Sequence, residues 1–208
     1  MQVNYEAIID EAKNKMMKWQ EINEQNMWEL FQNKEGYIVY TKRNPENGIN
    51  MNRSQTEIAR TPEQILDLVA DVNKRPLYDE KVETAHVIEQ IDANTRIIYV
   101  RIKPPIPFMS SRDLVMVQKV YEQNDGIYIV CSKSIIHQKT PPINKIERAE
   151  MHLSGWIIMP QPNQMTKIVT IQCFDPKGDI PTSITNQYAK LQTDMMKAAI
   201  KYIALNYK

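Results

Sequence analysis

The sequence predicts an α+β fold in which a curved antiparallel sheet is closed by a long C-terminal helix. Three features carry that reading. Apolar residues recur at helical spacing up to Trp19, alternate from Tyr37 onward, and return to helical spacing past Pro181. Short polar turns such as Asn124-Asp125-Gly126 join the alternating segments, which points to hairpins and an antiparallel meander. The last apolar stripe is wider than a surface helix needs, so the terminal helix lies across the sheet. A single domain over residues 1–208 follows, with N-terminal helices in 1–33, the sheet with short helices in 37–174, and the terminal helix in 182–207.

Tyr5, Ile8, Ile9, Ala12, Met16 and Trp19 mark the first helix, with Glu6, Asp10 and Glu11 early and Lys13, Lys15 and Lys18 late, an order that suits the helix dipole. A second helix is expected over Met27 to Gln32, stopping near Gly36. Tyr37 to Lys42 and Asn50 to Ile58 alternate as strands around the turn Asn44 to Gly48. Thr61 caps a short helix that begins at Pro62, with Ile65, Leu66, Leu68 and Val69 as its apolar face. Strands follow over Val82–Ile91, Thr95–Lys103, Leu114–Gln123, Ile127–Ser134, Ala149–Pro160 and Thr166–Phe174. In the last of them Lys167, Val169, Ile171 and Cys173 fall on one face, and Ile168, Thr170, Gln172 and Phe174 on the other. The terminal helix runs from Ile184 to Asn206, with Ile184, Tyr188, Leu191, Met195, Ala199 and Tyr202 as its central stripe. Such a sheet and helix can pack solid or enclose a cavity, and periodicity does not distinguish the two.

Composition narrows the function classes. With 42% hydrophobic and 25% charged residues the chain is globular rather than disordered. Lys+Arg total 26 against 25 Asp+Glu, so nucleic acid is not an expected partner, although a local basic patch is compatible with that balance. The five glycines form no phosphate-cradling loop, and no cofactor is expected. Cys131 and Cys173, with His86, His137 and His152, show neither metal spacing nor a nucleophile arrangement, so no metal site or catalytic residue is assigned. His137 reads as a structural imidazole. The acidic N-terminal stretch and the lack of an apolar run of ~18 residues suit a cytoplasmic protein. Nothing signals oligomerisation, and a monomer is expected.

Several segments, in order, resemble the START (steroidogenic acute regulatory protein-related lipid transfer) domain family. They are Lys103-Pro104-Pro105-Ile106-Pro107-Phe108-Met109-Ser110-Ser111-Arg112-Asp113-Leu114-Val115; Ser132 with His137 and Pro141-Pro142; Arg148-Ala149 with Ser154-Gly155-Trp156; and Asp175-Pro176-Lys177-Gly178-Asp179-Ile180-Pro181 with Asn186. Trp28, Gly36, Tyr40 and the stretch from Asp71 to Asp79 also fit. The resemblance implies a helix-grip fold, in which the sheet wraps the terminal helix around a hydrophobic tunnel for one lipid.

By the same resemblance, Arg75 and Asp79, spaced by four, are expected at the lipid head group with Tyr78 and Tyr99. A guanidinium can pair with a phosphate or hydroxyl oxygen, and the carboxylate can orient it. Ile106, Phe108, Met109, Asn186, Leu191, Met195 and Met196 are expected along the tunnel and its gate, and Arg112-Asp113 as a structural pair. Val100, Leu114 and Gln172 stand where a choline-binding cage would want rings, and Tyr99 and Gln118 lie near where sterol-binding members place an acid and an Arg. A phospholipid or sphingolipid is therefore favoured over a sterol. A transient membrane surface is the other expected partner, met by the gate loop and by the terminal helix lysines. The rival readings are a helix-grip enzyme, for which Asp79 is the one candidate acid or base, and a lipid sensor.

Overall fold

The structure is a computed structural model that describes residues 3–104, 109–178 and 182–207, with the backbone alone described for 182–192. Helix α1 (Tyr5–Trp19) begins where the Asn4 side chain accepts from the Ala7 amide at 3.0 Å, and it buries Ile9, Ala12, Met16 and Trp19. Two strands follow, β1 (Glu29–Lys34) and β2 (Tyr37–Arg43).

The second N-terminal helix expected over Met27 to Gln32 is therefore a strand, and the sheet begins before residue 37. Glu35 and Gly36, at φ 54° and 78°, form a two-residue loop with both positions left-handed, which matches the twist of a tight hairpin. Gly36 serves that turn and ends no helix. Met27, Leu30 and Phe31 mimic a helical stripe, yet they are 75%, 60% and 58% exposed and cover no core.

Strand β3 (Asn50–Ile58) leads to α2 (Pro62–Ala70), where Thr61 and Gln64 form a reciprocal capping box. Helix α3 (Arg75–Tyr78) is a single turn. The strands β4 (Val82–Gln90), β5 (Thr95–Ile102), β6 (Arg112–Glu122), β7 (Tyr128–Ser134), β8 (Glu147–Arg148), β9 (Glu150–Gln161) and β10 (Met165–Asp175) follow, and α4 (Thr182–Asn206) ends the chain. Among the described residues nine strands lie in the order β1-β2-β3-β10-β9-β7-β6-β5-β4, all neighbours antiparallel, and β8 pairs in parallel with β6.

Both faces of the sheet are covered. On one, α1 packs its Ile9 and Met16 against Ile97, Val115, Val117, Ile129 and Ile157, all at most 1% exposed. The packing there is close enough that a Cβ on Gly155 would stand 1.9 Å from the Met16 sulfur. On the other face, α2 and α4 bury Ile65, Leu68, Met196 and Ile203 against Ile158 and Ile168. Farther along that face Val72, Val82, Ile98, Val100, Leu114, Met116 and Phe174 form a separate apolar cluster. The alternation expected for the last strand holds, since Val169, Ile171 and Cys173 belong to the α1 side and Ile168 to the α4 side.

Candidate functional site

A cavity lies between this second face and the helices. Its floor is Ile98, Val100 and Ile102 of β5, Leu114, Met116 and Gln118 of β6, Val130 and Ser132 of β7, Met151, Ser154 and Trp156 of β9, and Gln172 and Phe174 of β10. Val69, Asp71, Val72, the α3 residues Arg75 and Tyr78, then Asp79, Lys81 and Met195 complete the wall. The water-sized free space is about 90 Å³, and the gaps between side chains with the opening to solvent total about 1000 Å³. As it stands, the cavity holds about 90 Å³.

Most of the floor is aliphatic, but one band is polar. Gln118 pairs in register with Ser132, Ser132 with Ser154, and Ser154 with Gln172, so four polar side chains form a row across four adjacent strands. Gln118 is 5% exposed, and its Oε1 has no hydrogen-bond partner among the described residues. A buried acceptor left this way carries a desolvation cost of about 1–3 kcal/mol, which a bonded partner would relieve. Gln172 approaches the Met195 sulfur at 3.8 Å through Nε2.

The wall contributes an ion pair. Arg75 donates to Asp79 Oδ2 through Nε at 3.3 Å and Nη2 at 3.2 Å, while Asp79 Oδ1 accepts from the Lys81 amide at 3.3 Å. Burial works against the Arg75 charge, but Asp79 and Tyr78 outweigh it and hold the guanidinium pKa above its ordinary value. Burial also raises the Tyr78 phenol, against the opposing effect of Arg75. With both carboxylate oxygens engaged, Asp79 is held as an acceptor that orients Arg75. Lys81 Nζ then reaches Asp194 of α4 at 3.5 Å, linking the cavity wall to the terminal helix.

The sequence-expected residues divide accordingly. Arg75, Tyr78, Asp79 and Met195 line the cavity. Tyr99 does not; its side chain falls between Ile98 and Val100, on the α1 face, where it is 4% exposed and its ring centroid lies 5.1 Å from that of His86. Burial, then the nearby Asp113, raises its phenol pKa. Met196 is packed beside Met195 against Thr170 in the helix–sheet core and takes no part in the wall. Met109 packs, half-buried, against the apolar cluster of the floor.

Ile106 and Phe108, and the side chains of Asn186 and Leu191, lie outside the described residues. Arg112 and Asp113 do not pair with each other, because neighbours on a strand face opposite ways. Arg112 instead donates to the Pro176 and Lys177 carbonyls at 3.3 and 3.5 Å. Asp113, fully buried, accepts from Arg148 Nε at 2.7 Å and Nη2 at 3.0 Å. His137 is 9% exposed, with Nε2 3.6 Å from Glu89. The polar row carries only a weak sequence signal, which is that each member falls in step with cavity residues two places away on its own strand.

Comparison with known proteins gives a consistent set of relatives. A family model described as START domain matches residues 7–202. The mouse START domain-containing protein 10 is 25% identical over 187 residues, covering 84% of this chain and 62% of its own length. The human ceramide transfer protein is 26% identical over 183 residues, or 78% of this chain and 29% of that protein. The chain thus spans less than two thirds of these relatives. Among solved structures, human StAR-related lipid transfer protein 5 superposes with a TM-score of 0.89 at 20% identity, covering 96% of both chains. Human STARD10 gives 0.78 at 22% identity over 97% of this chain and 82% of that one.

Proposed function

We propose, from the premise that the chain belongs to the START domain family, that it encloses one lipid between α4 and the sheet and carries it between membranes. The observation that carries this reading is an apolar cavity crossed by a polar row and bordered by the Arg75–Asp79 pair. Apolar walls match the interior of a bilayer, so the transfer of acyl chains is close to neutral, and selectivity falls to the few polar groups. Since free space of about 90 Å³ is below the ~300–1,000 Å³ of typical ligand sites, loading requires a more open state. Separation of α4 from the wall, with loss of the Lys81–Asp194 contact, is the motion that provides it. Among the described residues no helix is long and apolar enough to cross a membrane.

Within that reading the ligand is a sphingolipid or another amide- or hydroxyl-bearing lipid rather than a diacyl ester without donors. Gln118, Ser132, Ser154 and Gln172 can donate and accept, and an ester linkage only accepts. A relative named ceramide transfer protein accords with this choice. Arg75 and Asp79 are assigned to the polar head, where a guanidinium oriented by its carboxylate meets phosphate or hydroxyl oxygens.

Native mass spectrometry of the purified protein is expected to show one bound lipid, with an amide or hydroxyl group in its polar part. Transfer between donor and acceptor vesicles then distinguishes a carrier from a sensor, and chemical turnover of that lipid would overturn the carrier assignment. Asp79→Ala is expected to lower selectivity among head groups at least tenfold, a loss of about 1.4 kcal/mol. Unchanged selectivity in both Asp79→Ala and Arg75→Ala would remove these residues from the site.

A further inference from the structure

We propose that the groove between the C-terminal end of α1 and the β1–β2 hairpin is a second binding site, which seats the phosphate head group of an anionic lipid in a bilayer surface. The groove has about 760 Å³ of water-sized free space and, among the described residues, shares no lining residue with the cavity under α4. Lys18, Lys42 and Arg43 line it, with Glu29 as the one carboxylate among its described lining residues.

These three cations stand apart from their neighbours. Lys15, a turn earlier on α1, is held by Glu11 at 3.0 Å and Glu46 at 2.7 Å. Lys18, Lys42 and Arg43 make no ion pair among the described residues. Lys42 is half-buried, 5.3 Å above the Trp19 ring and 4.6 Å above the Trp28 ring, and its Nζ donates to the Asn26 carbonyl at 2.9 Å. Burial first, and then the Lys18 charge, holds its pKa below the ordinary lysine value, the response of a cation that lacks an anion.

The floor is fixed in advance. Trp28 Nε1 donates to the Trp19 carbonyl at 2.9 Å, and buried Asn26 donates through Nδ2 to the carbonyls of Lys18 and Glu21, each at 3.0 Å. A site so ordered loses little conformational freedom on binding.

The rim decides the source of the phosphate. Met27 and Phe31 line the groove at 75% and 58% exposure, and Leu30 and Ile22, in the same stretch, are 60% and 44% exposed. Cations beside exposed apolar side chains suit the boundary between head groups and acyl chains. A soluble phosphate or a nucleic acid would leave those side chains in water. With a net charge of only +1, attraction to an anionic surface depends on a local cluster of this kind.

The test is flotation of the full chain with phosphatidylcholine vesicles, with and without phosphatidic acid. Lys18→Gln with Arg43→Gln, both exposed positions, should weaken binding to the anionic vesicles roughly fivefold for each charge removed. Binding to neutral vesicles, the melting temperature and the co-purified lipid should not change. Met27→Ser with Phe31→Ser should weaken anionic-vesicle binding as well, whereas Lys197→Gln with Lys201→Gln on α4 should leave at least half of it. The proposal is overturned if the Lys18/Arg43 variant binds as the native chain does, or if the α4 variant accounts for the whole loss. It is equally overturned if inorganic phosphate or an acidic phosphopeptide binds the groove while the apolar double variant leaves vesicle binding intact.

Discussion

The two faces of one sheet have opposite interiors. Under α1 the strands present Ile97, Val115, Val117, Ile129 and Ile157, and the helix fills the space between them with Ile9 and Met16. Under α4 the same strands present Ile98, Val100, Leu114, Met116 and the polar row, and a cavity remains. Strand alternation sorts the residues between faces, but the covering helix decides whether a face is filled. At Gly155 the absence of a side chain lets α1 come within contact of the sheet. The neighbouring Ser154 and Trp156 turn the other way, toward the cavity.

Two methionines give the largest test of this contrast. Met16→Ala on the packed face is expected to cost about 4 kcal/mol, since its neighbours are held by α1 and cannot close the void. Met116→Ala, beside a space that already exists, should cost about 2 kcal/mol, the low end for such a truncation. Chemical denaturation of both variants measures the difference, and equal losses would mean that the faces do not differ in packing.

Next in size is Gly155→Val. The added atoms collide with Met16 and approach the Val130 carbonyl oxygen at 3.2 Å, and overpacking of this kind should cost about 3 kcal/mol. Combining it with Met16→Ala should restore part of that loss, because the two changes share one space. A strictly additive pair would place the strain elsewhere.

The smallest effect is a pH dependence confined to the α1 face. Burial pushes the Cys131 thiol up to about 12. The folded state therefore keeps a proton that the unfolded chain releases above ~8.5, and stability falls as pH rises between the two values. The slope is about 1.4 kcal/mol per pH unit. Cys131→Ala removes this contribution, so the native chain should lose more stability than the variant between about pH 9 and about pH 10. Parallel curves would show that the thiol ionises alike in both states.

Much of this arrangement was legible in the residues, and the exceptions have physical causes. Thr61 and Pro62 announce the start of α2, because an N-cap and a proline in the first turn are local signals. Spacing alone does not reveal the β1 strand, since Met27, Leu30 and Phe31 recur like a helix face, and only pairing with β2 across the Glu35-Gly36 turn settles the strand. Tyr99, expected at the head group, lies on the α1 face because Ile98 and Val100 on either side of it turn to the cavity. The polar row is not visible along the sequence because its members are far apart in the chain and meet only through strand register.

The residues alone specify the order of the main elements from Tyr37 onward, the side of the sheet to which most apolar residues belong, and the ordered motifs that mark the family. Those features follow from local dihedral preferences and from periods of two and 3.6 residues. Tertiary structure alone decided that Gln118 stands beside Ser132, that Arg148 rather than Arg112 neutralises Asp113, and that one face is solid and the other hollow. Each of these depends on residues brought together across strands or by a covering helix, and the volume left between packed surfaces is a property of how they meet.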